Sequence, residues 1–272
     1  ELKVPDYRFI LRPNYATVIQ TINEQYALLD AGPRHLSIDI ETRAGHIACI
    51  GFAWSKTEAL CIPLMAVERK EGYWDEEEEV QIMFALQHLL THPNLEGSGQ
   101  NFLYDGQYFW RHLRYKPRIW MDTLIAWHVC WAGQPKALDY QASLICENYR
   151  FWKNDGKEWF LRGVGEDQLW SYNCEDCVRT FEIAESHRST LVSLNLQAVF
   201  EFQMVMFWLV LDTMIRGVRF DQQHRSEFAL MLGDEIAKRE QWFIDVLGHP
   251  LNPKSGPQMK RLFYEDLKLP LQ

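Results

Sequence analysis

An α/β fold, with strands first and helices after them, is predicted by three observations. Short β-rich segments alternate apolar and polar residues between His35 and Pro63. From Val80 onward apolar residues recur at helical spacing. Beyond Gln100 strand-like segments give way to helical ones. Composition admits a packed core: 47% of the 272 residues are hydrophobic and 24% charged, which excludes a disordered chain or a fibrous repeat. The length suits one large domain, or one domain with an appendage.

Taken in order, His35 to Ile40 reads as a strand. Ile47 to Trp54 and Ala59 to Pro63 follow at hairpin spacing across Gly45 and a polar turn, making a three-strand meander. Asp75 opens a helix whose acidic first turn, Asp75 to Glu79, suits the positive end of the helix dipole. Leu95 to Gln100 is a short fourth strand. Helices are expected over Asp105 to Leu113, Asp122 to Trp131, Leu138 to Tyr149 and Glu166 to Arg188. A long apolar helix should run from Thr190 to Ile215, with a turn at Gly217. Asp221 caps a helix to about Leu247, and Asn252-Pro253-Lys254-Ser255 reads as a turn and cap for a last short one. The composition shift divides the chain into residues 1–190 and a helical segment, 191–272.

Composition also narrows the function. The most apolar run, Phe202 to Met214, is shorter than the roughly 20 residues of a bilayer-spanning helix and ends beside Asp212, so no membrane partner is expected. The chain starts at Glu1 without a leader-like segment, as if cut from something longer. Six cysteines scattered through apolar or helical context predict reduced thiols and an intracellular location. Cys174 and Cys177 read as helix residues, because zinc wants a second pair at comparable spacing. A net charge of −9 opposes phosphate binding by Lys and Arg alone. Acids clustered to hold divalent cations would reverse that sign locally.

Three clusters carry chemistry. Asp39-Ile40-Glu41 ends the first strand, where period-two alternation puts both carboxylates on one face; alone, it is also an ordinary strand end. Asn101-Phe102-Leu103-Tyr104-Asp105 follows the fourth strand, and Asp105 alone reads equally as a helix N-cap, which leaves Asn101 unexplained. Tyr172-Asn173-Cys174-Glu175-Asp176 places phenol and carboxylate four residues apart on one helix face.

Together, Asp39 and Glu41, then Asp105, then Tyr172 and Asp176 resemble the tyrosine type of the four-carboxylate 3′-to-5′ exonuclease superfamily in order and spacing. No histidine lies four residues before Asp176, which excludes the histidine type. Gln100-Asn101-x-x-Tyr104-Asp105 is similar to the proofreading domain of family A DNA polymerases in particular, as is Asp122-Thr123-Leu124 after it. The resemblance extends from about Tyr7 onward. It implies a ribonuclease H-like mixed sheet flanked by helices, and two divalent ions, Mg²⁺ or Mn²⁺, about 3.5–4 Å apart. Asp39, Glu41 and Asp176 would ligate the ion that activates water; Asp39, and Asp105 through water, would hold the second near the leaving oxygen. Tyr172 would orient the attacking water. Thr42, Asn101 and Tyr104 would contact the terminal nucleotide. The implied partners are a single-stranded DNA 3′ end and primer-template DNA.

Beyond Thr190, Glu201, Met214, Gly217, Val218 and Asp221 resemble the opening of the family A polymerase region, and Asn252-x-x-Ser255-x-x-Gln258 with Leu262-Phe263 and Leu267-x-Leu269-Pro270 resembles the approach to its thumb. The remainder of a polymerase chain is then a further partner. Arg111 to Arg118, and Lys153 and Lys157 beside Trp152 and Trp159, are either contacts for single-stranded DNA or solvated loops. A stand-alone RNA-trimming exoribonuclease shares the same acids and tyrosine, and a catalytically silent DNA-binding scaffold is the alternative of another class.

Overall fold

In the computed structural model, residues 6–67, 69, 71–156 and 165–270 are described. Strand β2 (Arg34–Arg43) lies inside a six-stranded sheet because both of its faces are covered. Leu36, Ile38 and Ile40 enter the main core, while Ser37 on the other face donates to the Cys177 carbonyl of a long helix. β3 (His46–Ala53) returns antiparallel to β2, and β4 (Glu58–Pro63) antiparallel to β3. β5 (Leu95–Gly99) adds to β2 in parallel, and with β1 (Arg8–Ile10) and β6 (Ile119–Asp122) at the edges the order is β1-β4-β3-β2-β5-β6. A mixed sheet forms, as expected.

Its two edge strands, β1 and β6, are too short to show a period in the sequence. The helix α1 (Tyr15–Ala31) was likewise not expected; its apolar stripe is diluted by Thr21 and Gln25, both buried. α2 (Glu76–Leu90) starts with a capping box between Asp75 and Glu78, in keeping with its acidic opening. α1 and α2 pack against each other on the side of Leu36 and Ile38.

After β5, α3 (Leu103–Tyr108) continues into a π-helical turn, Phe109–Leu113, which ends at left-handed Arg114. Asp105 is therefore inside the first turn and is not its cap. Asp122 belongs to β6 and caps α4 (Thr123–Cys130), so the expected helix begins one residue late. α5 (Leu138–Ile145) stops short of Tyr149 because Cys146 is extended.

α6 (Glu166–Ser193) outruns its expected end at Arg188. The helix expected from Thr190 is interrupted instead. Asn195 takes φ of 55°, the Asn195 N–H bonds the Val192 carbonyl and the Leu196 N–H bonds the Leu191 carbonyl. This is a Schellman closure with Asn, which tolerates the left-handed region, where glycine is usual. α7 (Gln197–Arg216) then buries Phe200, Met204, Phe207 and Leu211. It approaches α3 closely at Gly106, where an added Cβ would meet Leu211 at 3.1 Å. At 20 residues and a mean hydropathy of 1.6, α7 is by length and composition long and apolar enough to cross a membrane. One of its stripes packs into the protein core.

The chain divides into two compact units, Glu1–Arg216 and Gly217–Gln272. α7 falls in the first because its buried stripe packs on α3 and α4. In the second unit α8 (Gln222–Leu247) is capped by Asp221 and closed by left-handed Gly248. Ser255 caps α9 (Gly256–Lys260), with Pro257 in its first turn, as the turn signals predict.

Candidate metal centre

Asp39 and Glu41 share the face of β2 that α6 covers. α6 can lie close there because Gly51, paired with Asp39 across the β2–β3 ladder, has no side chain. A Cβ at that position would sit 2.2 Å from Asn173 Oδ1 and 2.9 Å from Cys177 Sγ. Asn173 uses the closeness to donate to Asp39 Oδ2 at 2.8 Å and to the Asp39 carbonyl at 3.3 Å. Asp176, three residues on, follows on the same helix face. Carboxylate oxygens of Asp39, Glu41 and Asp176 all lie within 4.8 Å of one another.

Asp105 approaches the strand separately. It is 4% exposed and lies close enough to the Ile40 backbone and to Asp39 for both to act on its carboxyl. It lies beside the cluster but outside the group of three. Asp122 holds the chain that delivers it: its oxygens accept from the backbone N–H groups of Asn101 (3.2 Å), Phe102 (2.8 Å), Leu124 (2.9 Å) and Ile125 (3.3 Å). Asn101 itself is exposed with φ of 55°, so the corner supplies a conformational reason for Asn there. Thr42 Oγ1 and the Tyr104 hydroxyl are 2.6 Å apart, next in sequence to Glu41 and Asp105 respectively.

The electrostatics are those of crowded anions. Burial first, and then the charge of Asp176, push Asp39 up to about 8. Burial and Asp39 raise Glu41 well above the usual carboxylate range, and burial and Asp39 do the same to Asp105. Burial, with Asp176, Glu41 and Asp39 around it, raises the Tyr172 phenol, which keeps its proton and stays a neutral hydroxyl. Asp122, although it accepts four N–H groups, is pushed by burial to about 6.

A lysine answers these charges directly. Lys153 Nζ donates to both oxygens of Asp176, at 2.7 and 2.9 Å, and to the Tyr172 hydroxyl at 2.9 Å. Trp152 Nε1 also donates to Asp176. Lys153 thus belongs to the carboxylate cluster and is not part of a solvated loop; a single Lys in a Trp- and Gly-containing loop has no periodicity to reveal this. Lys157 and Trp159 lie outside the described residues. In the basic stretch, Lys116 pairs with Asp212 and Arg118 donates to the Leu95 carbonyl, while Arg111, His112 and Arg114 are exposed. Cys174 and Cys177 are buried in α6 against Cys49 and Cys61, as apolar helix residues.

Hard oxygen donors, mutual repulsion and, among the described residues, a single ammonium on the cluster fit Mg²⁺ or Mn²⁺ better than a soft metal. Asp39, Glu41 and Asp176 are the residues that could hold it.

Neither a family model nor a curated protein matches the sequence. Solved structures do match the fold. The POL domain of Pol1 from M. smegmatis, in complex with DNA primer-template and dNTP, aligns with a TM-score of 0.58 at 14% identity, over 97% of this chain and 41% of that one. RNase D from Escherichia coli, an exoribonuclease involved in structured RNA processing, aligns at 0.52 and 16% over 75% and 50%. Brucella melitensis NrnC with bound Mg²⁺ aligns at 0.51 and 15% over 70% and 91%. The fold is ribonuclease H-like, a mixed six-stranded sheet with flanking helices, followed by a helical region. This chain spans about two fifths of the length of the Pol1 structure.

Proposed function

We propose that the chain is a 3′-to-5′ exonuclease domain that hydrolyses the terminal phosphodiester of single-stranded or frayed DNA 3′ ends, as the proofreading part of a family A DNA polymerase. The observation that carries the reading is the convergence of Asp39, Glu41 and Asp176 within 4.8 Å, with the Tyr172 hydroxyl tied to Asp176 through Lys153.

In this reading Asp39, Glu41 and Asp176 hold divalent metal, and Asp105 serves beside Asp39. Bound divalent ions supply an activated water and neutralise charge at the leaving oxygen. The protein's own groups do the positioning. Asn173 fixes the rotamer of Asp39 through its 2.8 Å bond. Tyr172, kept protonated, offers one O–H to orient a water molecule. Thr42 and Tyr104, joined beside Glu41 and Asp105, form the polar edge against which a terminal nucleotide would lie.

Likeness to both Pol1 and RNase D leaves two polynucleotides as substrates. DNA is favoured because the Pol1 alignment runs through nearly all of this chain, including its helical tail, whereas the RNase D alignment omits a quarter of it. The test is nucleotide release from a 3′-mismatched DNA primer and from a matched-length RNA, with Mg²⁺ or Mn²⁺. Release from DNA, abolished by chelator and by Asp39→Ala/Glu41→Ala, is expected. Trimming of RNA alone would establish the exoribonuclease, and a folded, metal-supplied protein inert on both would be a binding scaffold.

A further inference from the structure

Four exposed or half-buried aromatic rings outside the carboxylate cluster form a continuous row. Tyr104 and Tyr108 have centroids 5.0 Å apart, Tyr108 and His112 5.7 Å apart with planes at 13°, and His112 and His46 5.3 Å apart. Three of them sit at i, i+4 and i+8. On a regular α-helix such a row drifts round the surface, because four residues exceed one turn. The π-helical turn Phe109–Leu113 is wound wider, so four residues fall short of a turn and the drift is reversed. His112 therefore stays over Tyr108.

The fourth ring comes from another element. His46 begins β3, and the hairpin before it is tied to the helix by the 3.1 Å contact between His112 Nε2 and the Gly45 carbonyl. Ordinary helix-surface pairing explains neighbours four residues apart. It does not explain a row that crosses to a second element while keeping its rings open to solvent, with Tyr104 42% exposed and His46 and His112 exposed.

The row also has a direction. Its first ring bonds Thr42 and precedes Asp105, so it starts at the carboxylates; its last lies by the β2–β3 hairpin tip. Arg111 and Arg114 stand exposed on the same stretch, where backbone phosphates need cations. We propose that Tyr108, His112 and His46, continuing from Tyr104 at the terminal nucleotide, form a base-stacking track that holds the nucleotides 5′ of the terminal one in a single-stranded DNA. This rests on the exonuclease reading for the position of the 3′ end. Stacking uses the π-face common to all bases, so the track would hold a strand of any sequence.

Binding separates the two ideas. The full chain is titrated with fluorescently labelled, hydrolysis-resistant phosphorothioate oligothymidylates of two and eight nucleotides, and the ratio of the two dissociation constants is read. Stacking contributes about 1–3 kcal/mol per base, or roughly 5- to 150-fold in affinity. The wild-type protein should prefer the octamer. Tyr108→Ala/His112→Ala should collapse that preference by tenfold or more, and Tyr108→Phe/His112→Phe should restore it. An alanine variant whose octamer preference stays within twofold of wild type overturns the track, as does a wild-type protein with no preference. A wild-type protein that prefers the octamer through these rings but releases no nucleotide from natural DNA leaves the track standing and removes the exonuclease.

Discussion

The ammonium of Lys153 lies 2.7 and 2.9 Å from the two carboxylate oxygens of Asp176, the oxygens a metal ion at this centre would need. Lysine and metal therefore compete. Lys153→Met should bind Mn²⁺ about tenfold more tightly by calorimetry, an electrostatic gain on the order of 1.4 kcal/mol. In chelator the same variant should melt earlier, because the anions lose their counter-charge. Unchanged or weaker Mn²⁺ binding would show that the lysine does not occupy the site.

Metal-free stability should decline as pH rises. Asp39 is held up to about 8 against 3.8 for an ordinary aspartate, so the folded protein binds a proton that the unfolded chain has released. Its contribution is full below 3.8 and is lost as pH climbs through 8, with a slope no steeper than about 1.4 kcal/mol per pH unit. Mg²⁺ replaces the proton. The gain in melting temperature on adding Mg²⁺ should therefore widen from pH 6 to pH 9; a constant gain would rule out the carboxylates as its ligands.

A second pH effect has the opposite sign. His187 is fully buried, with Nε2 3.0 Å from Gln141 Oε1, and burial lowers it from 6.5 to about 4. Between these values the unfolded chain takes up a proton and the folded one does not, so stability is lost as pH falls from 6.5 toward 4. Urea denaturation should show about 2 kcal/mol less stability at pH 5 than at pH 7 from this group. His187→Gln should remove that component, and an undiminished acid loss in the variant would place its origin elsewhere.

Gly51→Ala should destabilise by about 1–3 kcal/mol, the usual cost of overpacking, and weaken Mn²⁺ binding, because the added Cβ would displace Asn173 from Asp39. Combining it with Asn173→Ala tests the cause: the double variant should be more stable than the sum of the single losses predicts. Strict additivity would mean that the methyl group clashes with something other than Asn173.

What the sequence discloses and what it hides divide along physical lines. Family resemblance joins Asp105 to the other acids, whereas Asp39 with Glu41 and Tyr172 with Asp176 pair up through strand and helix periods. The central strands and long helices are legible from the same periods. β1 and β6 are too short to have a period, and α1 carries polar residues into its buried stripe. The break at Asn195 depends on a left-handed residue that only the closing hydrogen bonds reveal. Asn173 and Lys153 reach the centre from a helix face and a loop. Asn173 could have been noticed, three residues before Asp176; nothing in the local pattern points Lys153 inward.

Two of the three clustered carboxylates belong to a hairpin strand, and the third to a helix more than 130 residues later in the chain. A newly made polypeptide that has paired β2 with β3 but not yet docked α6 possesses Asp39 and Glu41 without Asp176. Under the exonuclease proposal, chemistry that needs all three carboxylates waits for α6 to dock, and a chain holding only the hairpin would leave the polymers around it uncut.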